Sequence, residues 1–153
     1  MKFRMVDRII DYEPGKSIRG VKTVSFEEYQ LKSAFGDNPC LPESLIMESF
    51  FQLGNWLIML TSDFVQMGLL VRTNEVRFER QVGPGENIFM EICVRSYRDD
   101  GVLFDGKAIA NEKVIAKGTG CLATITKLDE YYNPEDIKVL FSEIYRPDIT
   151  NKG

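Results

Sequence analysis

No histidine occurs anywhere in this chain of 153 residues. That absence removes the commonest general base near neutral pH, the commonest metal ligand and every Ser-His or Cys-His nucleophile pair. Cysteine is scarce: Cys40, Cys93 and Cys121 are an odd number without metal-type spacing, which points to a reducing, cytoplasmic compartment rather than a disulfide framework. Cys93 and Cys121 lie in strand-like runs and are expected in the core. Cys40 precedes a helix start and is not expected to be reactive, because burial opposes thiolate formation. There is no Cys cluster and no Gly-rich phosphate loop, so neither a metal site nor a nucleotide cofactor is expected. Basic residues are outnumbered, 19 Lys and Arg against 23 Asp and Glu, for a formal net charge of −4 at pH 7; no basic run offsets this, which excludes the electrostatic footprint of a nucleic-acid binder. The longest apolar stretch is interrupted by Glu48, Gln52, Gly54 and Asn55, too often for a membrane span. The opening residues, MKFRMVDRIID, carry charge where a secretory h-region is apolar, so no signal peptide is expected.

What the chain has instead is one unusual helix. FGDNPCLPESLIMESFFQLGNWLIML, residues 35–60, is a Pro-bounded turn feeding a segment that is apolar on nearly every side. At 100° per residue, Ser44, Glu48, Gln52 and Asn55 fall within an arc of roughly 80°. Eleven apolar side chains from Leu45 to Leu60 cover the rest. A helix of this kind must be wrapped by other structure, and Glu48 is then expected inside the wrapping. A buried carboxylate needs a hydrogen-bonding partner, such as Gln52 or Asn55, or a chemical use. Pro42 suits the first turn, so the helix is expected to start between Leu41 and Glu43 and to end between Thr61 and Asp63.

The remainder reads as strands. Residues 3–12 are a short mixed segment, EPGK at 13–16 is a turn, and SIRGVKTVS at 17–25 alternates as a strand does. After the helix come an extended segment over 68–82, a Pro-Gly turn at 82–86, and the runs NIFMEICVRSY, VLFDGKAIA and VIAKGTGCLATIT joined by hairpin signals. No helix separates them, so the sheet is expected to be antiparallel. Gly118 and Gly120 suit bending or a bulge in the last strand. Beyond Lys127, Asn133 is a plausible N-cap with Pro134 first and Ile137, Leu140, Phe141 and Ile144 at helical spacing. The expected fold is α+β: a curved antiparallel sheet around one long central helix, the hotdog architecture over residues 1–126, with a C-terminal extension at 127–153 bearing a short amphipathic helix.

Several blocks carry a family likeness: VDRI at 6–9, EPGKSI at 13–18, KTVS at 22–25, NPCLPESLIMESFFQ at 38–52, VRFERQVGPGE at 76–86 and the closing KGTGCLATI. Taken in order, they resemble the (3R)-hydroxyacyl-acyl-carrier-protein dehydratases of fatty acid synthesis, hotdog proteins, over about residues 3–126. In that family the helix entry reads His-Phe-Pro-x-x-Pro-x-Met-Pro-Gly, with a catalytic Glu or Asp on the helix fourteen residues after the histidine. The resemblance places the acid at Glu48 and a glutamine one turn later at Gln52. It places Ala34 where the histidine belongs, followed by Phe35. Glu43 stands where the family has the Gly after Pro42 whose N–H binds the thioester carbonyl. Phe35, Pro42, Glu43 and Gln52 are thereby the implied substrate-binding positions, and Glu48 the implied catalytic one.

Dehydrating a 3-hydroxyacyl thioester takes a base for the α-proton, an acid for the departing hydroxyl and N–H donors for the enolate oxygen. The carboxyl group and the helix N-terminus remain here; the base does not, and neither Ser33 nor Asp37 replaces it. The resemblance therefore implies a dehydratase homologue that binds acyl thioesters on an acyl carrier protein. Its dehydration is expected to be weak, or dependent on a hotdog partner chain that supplies the histidine. The alternatives are an active dehydratase or isomerase with substituted acid and base residues, and a hotdog thioesterase using Glu48. A homodimer or hexamer, or a heterodimer with a histidine-containing chain, is the expected assembly. Arg72, Arg77, Arg80, Arg95 and Arg98 are candidates for docking the acidic carrier protein.

Overall fold

The computed structural model describes residues 4–26 and 39–147. Six strands form one antiparallel sheet: β1 (Arg8–Glu13), β2 (Ser17–Thr23), β3 (Gln66–Phe78), β4 (Asn87–Tyr97), β5 (Gly101–Ala110) and β6 (Lys113–Lys127), in the spatial order β1-β2-β4-β5-β6-β3. Helix α1 (Glu43–Thr61) lies across one face, and α2 (Pro134–Ile144) follows a short 3₁₀ turn at Leu128–Glu130. The hairpin turns at Gly15 and at Asn111–Glu112 have positive φ, the backbone that tight two-residue connections demand.

The sheet can wrap α1 because it is creased. Pairing slips between Leu70 and Arg72 on β3, between Val94 and Ser96 on β4, and between Phe104 and Gly106 on β5. These three irregularities line up across the sheet from β4 through β5 and β6 to β3, since Val94 pairs Phe104, Phe104 pairs Cys121 and Cys121 pairs Thr73. A bulge bends and twists its strand, so a row of them folds the whole sheet along one line. The expectation for Gly120 is met there: its φ is +65° and its N–H donates to Asp105 Oδ1 at 2.9 Å.

Inside the crease, α1 buries ten residues, among them Phe50, Leu53, Trp56 and Leu57 at 1% exposure or less. Phe50 sits over Gly106, where an added Cβ would come within 3.2 Å of its ring. Full burial of such a ring contributes about 1.5–3 kcal/mol. The other side of α1 is closed by α2, whose Ile137, Leu140 and Ile144 are buried. Phe141 of α2 touches Tyr12, Trp56, Phe64 and Tyr145 through ring contacts of 5.0–6.1 Å. Asn133 caps this helix as its position suggests, its Oδ1 accepting from the Glu135 N–H at 2.9 Å.

Three expectations are corrected. Residues 8–13, read as mixed, form strand β1; both Ile9 and Ile10 are buried, which hides the alternation. A register slip at Ile10 and the tail running along the strand, with Arg146 N–H donating to the Ile9 carbonyl at 2.9 Å, account for this. Cys93 is exposed rather than core, because it falls on the outer face of β4, whereas Cys121 is buried. Pro42 is the N-cap of α1, one position earlier than the first-turn place read from the sequence.

The chain entering α1 is fastened to the loop before β4. Leu41 N–H donates to the Val82 carbonyl at 2.8 Å. That loop is held by Glu86, whose Oε1 accepts from Arg80 and from Asn111, both at 2.8 Å, and whose Oε2 accepts from the Gly83 N–H at 2.7 Å. The Arg80 guanidinium first, and the Gly83 N–H second, hold the Glu86 carboxyl below its ordinary range. A carboxyl depressed on folding contributes stability above its unfolded pKa and loses it as pH falls through the folded value. Glu86→Gln is therefore expected to cost about 1–3 kcal/mol near neutral pH. Its Tm should then fall less than the parent's on acidification from about pH 6 to about pH 3, measured by thermal denaturation.

Candidate functional site

The polar stripe of α1 opens into a cleft of about 620 Å³ between the helix and β3. Glu48, Phe51, Gln52, Asn55 and Ile58 form its floor, Met67 to Leu70 one wall, Phe104 and Ala123 its base on the sheet side, and Tyr132 a further wall. The floor follows the helix. Glu48 to Ile58 spans ten residues, roughly 15 Å at 1.5 Å per residue.

Why β3 can form a wall so close to α1 is a matter of one missing Cβ. A side chain at Gly68 would begin 2.6 Å from Ile58 Cδ1. With glycine there, the Gly68 N–H reaches Asn55 Oδ1 at 2.8 Å, so Asn55 ties helix to strand. Gln52 works toward the other end. Its Oε1 accepts from the Met5 N–H at 2.8 Å and its Nε2 donates to Glu48 Oε1 at 3.0 Å. The N-terminal segment thus orients the amide, and the amide orients the carboxylate.

Glu48 is half-buried rather than enclosed, because the cleft brings solvent to the stripe. Of the residues singled out from the sequence, the structure brings Glu48 and Gln52 together in the cleft. Pro42 and Glu43 lie at the helix start and are not among its walls; Glu43 is exposed. Ser44 is also exposed. Ala34 and Phe35, with Ser33 and Asp37, lie outside the described residues. Sequence reasoning passed over Phe51, Leu69, Leu70, Phe104 and Tyr132 as wall residues. Phe51 could have been found from its place beside the polar arc; the others enter from strands and a turn distant in sequence.

The five arginines named from the sequence differ. Arg77 pairs with Glu75 at 2.6 Å, Arg95 with Asp105 at 3.6 Å, and Arg80 belongs to the Glu86 clip. Among the described residues, Arg72 and Arg98 are exposed and make no ion pair within 4 Å. Among those residues, too, no three His, Cys, Asp or Glu side chains cluster to hold a metal, and no helix is long and apolar enough to cross a membrane.

A FabA-like domain matches residues 1–119, most of the chain, and includes the helix that carries Glu48. The chain belongs to the FabA-like family. The 3-hydroxyacyl-[acyl-carrier-protein] dehydratase FabZ of Caldanaerobacter subterraneus subsp. tengcongensis is 34% identical over 115 residues, covering 74% of this chain and 82% of the relative. Among solved structures, a hot-dog-like protein from Thermanaerovibrio acidaminovorans matches with a TM-score of 0.62 at 17% identity, over 88% of this chain and 96% of that one. The dehydratase heterocomplex ApeI:P from Xenorhabdus doucetiae matches at 0.58 and 11% identity, over 75% and 91%. The fold of this FabA-like chain is accordingly the hotdog fold.

Proposed function

We propose that this chain binds acyl thioesters presented by an acyl carrier protein. In this reading it provides one half of the proton chemistry of 3-hydroxyacyl dehydration. The observation that carries the reading is the Glu48 carboxylate, held by Gln52 at 3.0 Å and facing an otherwise largely apolar cleft, in a chain with no imidazole. Glu48, in its carboxylic-acid form, attends the β-hydroxyl and gives it the proton with which it leaves as water, becoming the carboxylate. The α-proton must go to a base from elsewhere, because the position that the dehydratase motif gives to histidine is Ala34.

A second hotdog chain docked on β3 is the source we favour. Among the described residues β3 is an edge strand, thirteen residues long, with Leu69, Leu70 and Val71 exposed at 39%, 39% and 59%. Long apolar edges are surfaces that proteins cover, and Leu69 and Leu70 also line the cleft. A partner there would roof the site. That a structural neighbour is a dehydratase heterocomplex supports a mixed pair; a homodimer or hexamer would roof the cleft without adding imidazole. Arg72 lies on the same strand and, with Arg98, is the charge we assign to carrier docking. Three free cysteines fit a reducing cytoplasm.

The test is a turnover assay with 3-hydroxyacyl and trans-2-enoyl thioesters on the purified chain, alone and mixed with a histidine-containing hotdog partner. The expected result is about 10²-fold or more gain on mixing. Brisk dehydration by the chain alone would replace this reading with rearranged acid and base residues. Release of free thiol instead of enoyl product would make it a thioesterase.

A further inference from the structure

The wall contributed by Tyr132 comes from outside the matched family domain, which ends at residue 119. From this we infer that Tyr132 sets the upper length of the acyl chain that the cleft accepts; the inference rests on the acyl-thioester reading above.

Tyr132 is placed at the end of the cleft remote from Glu48. Leu128, four residues earlier, is fully buried and its N–H donates to the Val65 carbonyl at 2.9 Å, just before β3 begins. The turn therefore sits by the start of β3, which meets the later part of α1 through the Gly68–Asn55 bond, whereas Glu48 lies roughly 15 Å before Ile58 along that helix. A thioester with its reacting carbons at Glu48 runs its tail toward this ring. An extended octanoyl tail is shorter than that distance and a hexadecanoyl tail is longer.

The backbone that carries the ring is held on both sides. On one side, Tyr132 N–H donates to the Leu128 carbonyl at 2.9 Å. On the other, Asn133 caps α2, and α2 is anchored by buried Ile137, Leu140 and Ile144. A phenol on backbone pinned from both sides acts as a stop for an apolar chain, and rejection of extra methylenes by such a stop is worth roughly tenfold or more in affinity. At 37% exposure the side chain itself carries little of the core, so its truncation leaves the fold intact.

The experiment is calorimetric titration of the full chain with butyryl-, octanoyl- and hexadecanoyl-pantetheine, repeated on Tyr132→Ala and Tyr132→Phe. The parent chain and Tyr132→Phe should bind octanoyl about tenfold or more tighter than hexadecanoyl, and Tyr132→Ala should bind hexadecanoyl at least as well as octanoyl. Equal binding of the two long chains by the parent, or an unchanged profile in Tyr132→Ala, overturns the role of Tyr132 and leaves the thioester reading standing. No binding of any of the three overturns both.

Discussion

Ala34→His is expected to raise 3-hydroxyacyl thioester dehydration by the isolated chain about 10²- to 10⁴-fold, the usual worth of a positioned general base. The argument is one of completion. Glu48 faces the cleft and is oriented by Gln52, which is itself held by the Met5 N–H; in the proposed reading the chain, which has no histidine, wants a group titrating near neutral pH to take the α-proton. The resemblance to dehydratases puts that group fourteen residues before Glu48. The effect should depend on the carboxyl group, so the double variant Ala34→His with Glu48→Gln should return to the parent rate. Steady-state assays on the three proteins measure this directly. No gain in Ala34→His would refute the idea that a single missing base limits the chain. A gain that survives loss of the carboxylate would remove Glu48 from the chemistry.

The second large effect concerns the fold. Phe50→Ala is expected to lower stability by about 3–5 kcal/mol, the range for truncating a fully buried aromatic. Phe50 is 0% exposed and packed on the glycine at 106, so neighbouring side chains cannot close over the hole without moving the creased sheet. In a domain of this size the loss corresponds to a Tm decrease of roughly 6–20 °C, read by thermal or denaturant unfolding. Phe51→Ala is the control. Phe51 lines the cleft and is half-buried, so its truncation should cost less stability and weaken acyl binding more. Equal destabilisation by the two changes would mean that α1 is not rotated as described.

The two phenylalanines also mark the limit of what pattern alone can say. Periodicity identified α1 and aligned Glu48, Gln52 and Asn55 on one arc, because helical spacing is a local property. It could not say that the arc faces a cleft, since the opposite wall, Leu69 and Leu70, is supplied by a strand with its own irregular pairing. The same holds for Glu48, expected inside the wrapping and found half-buried: exposure depends on how far β3 stands from the helix, and that distance is set by Gly68 and its bond to Asn55. Strand β1 escaped notice because its two buried isoleucines are adjacent, one facing the sheet's interior and the other brought under cover by a register slip and the C-terminal tail.

Local chemistry was thus enough for the elements other than β1: an all-round apolar helix that demands a wrapping sheet, Pro-Gly and Asp-Gly turns that close antiparallel hairpins, and an Asn-Pro start for α2. Those signals act over a few residues, within reach of a single turn or cap. The strand order, the crease shared by β3, β4 and β5, the exposure of Cys93 and the arrival of Tyr132 beside the cleft were decided only when segments far apart in the chain met, because each depends on which surfaces remain after every apolar face has found cover.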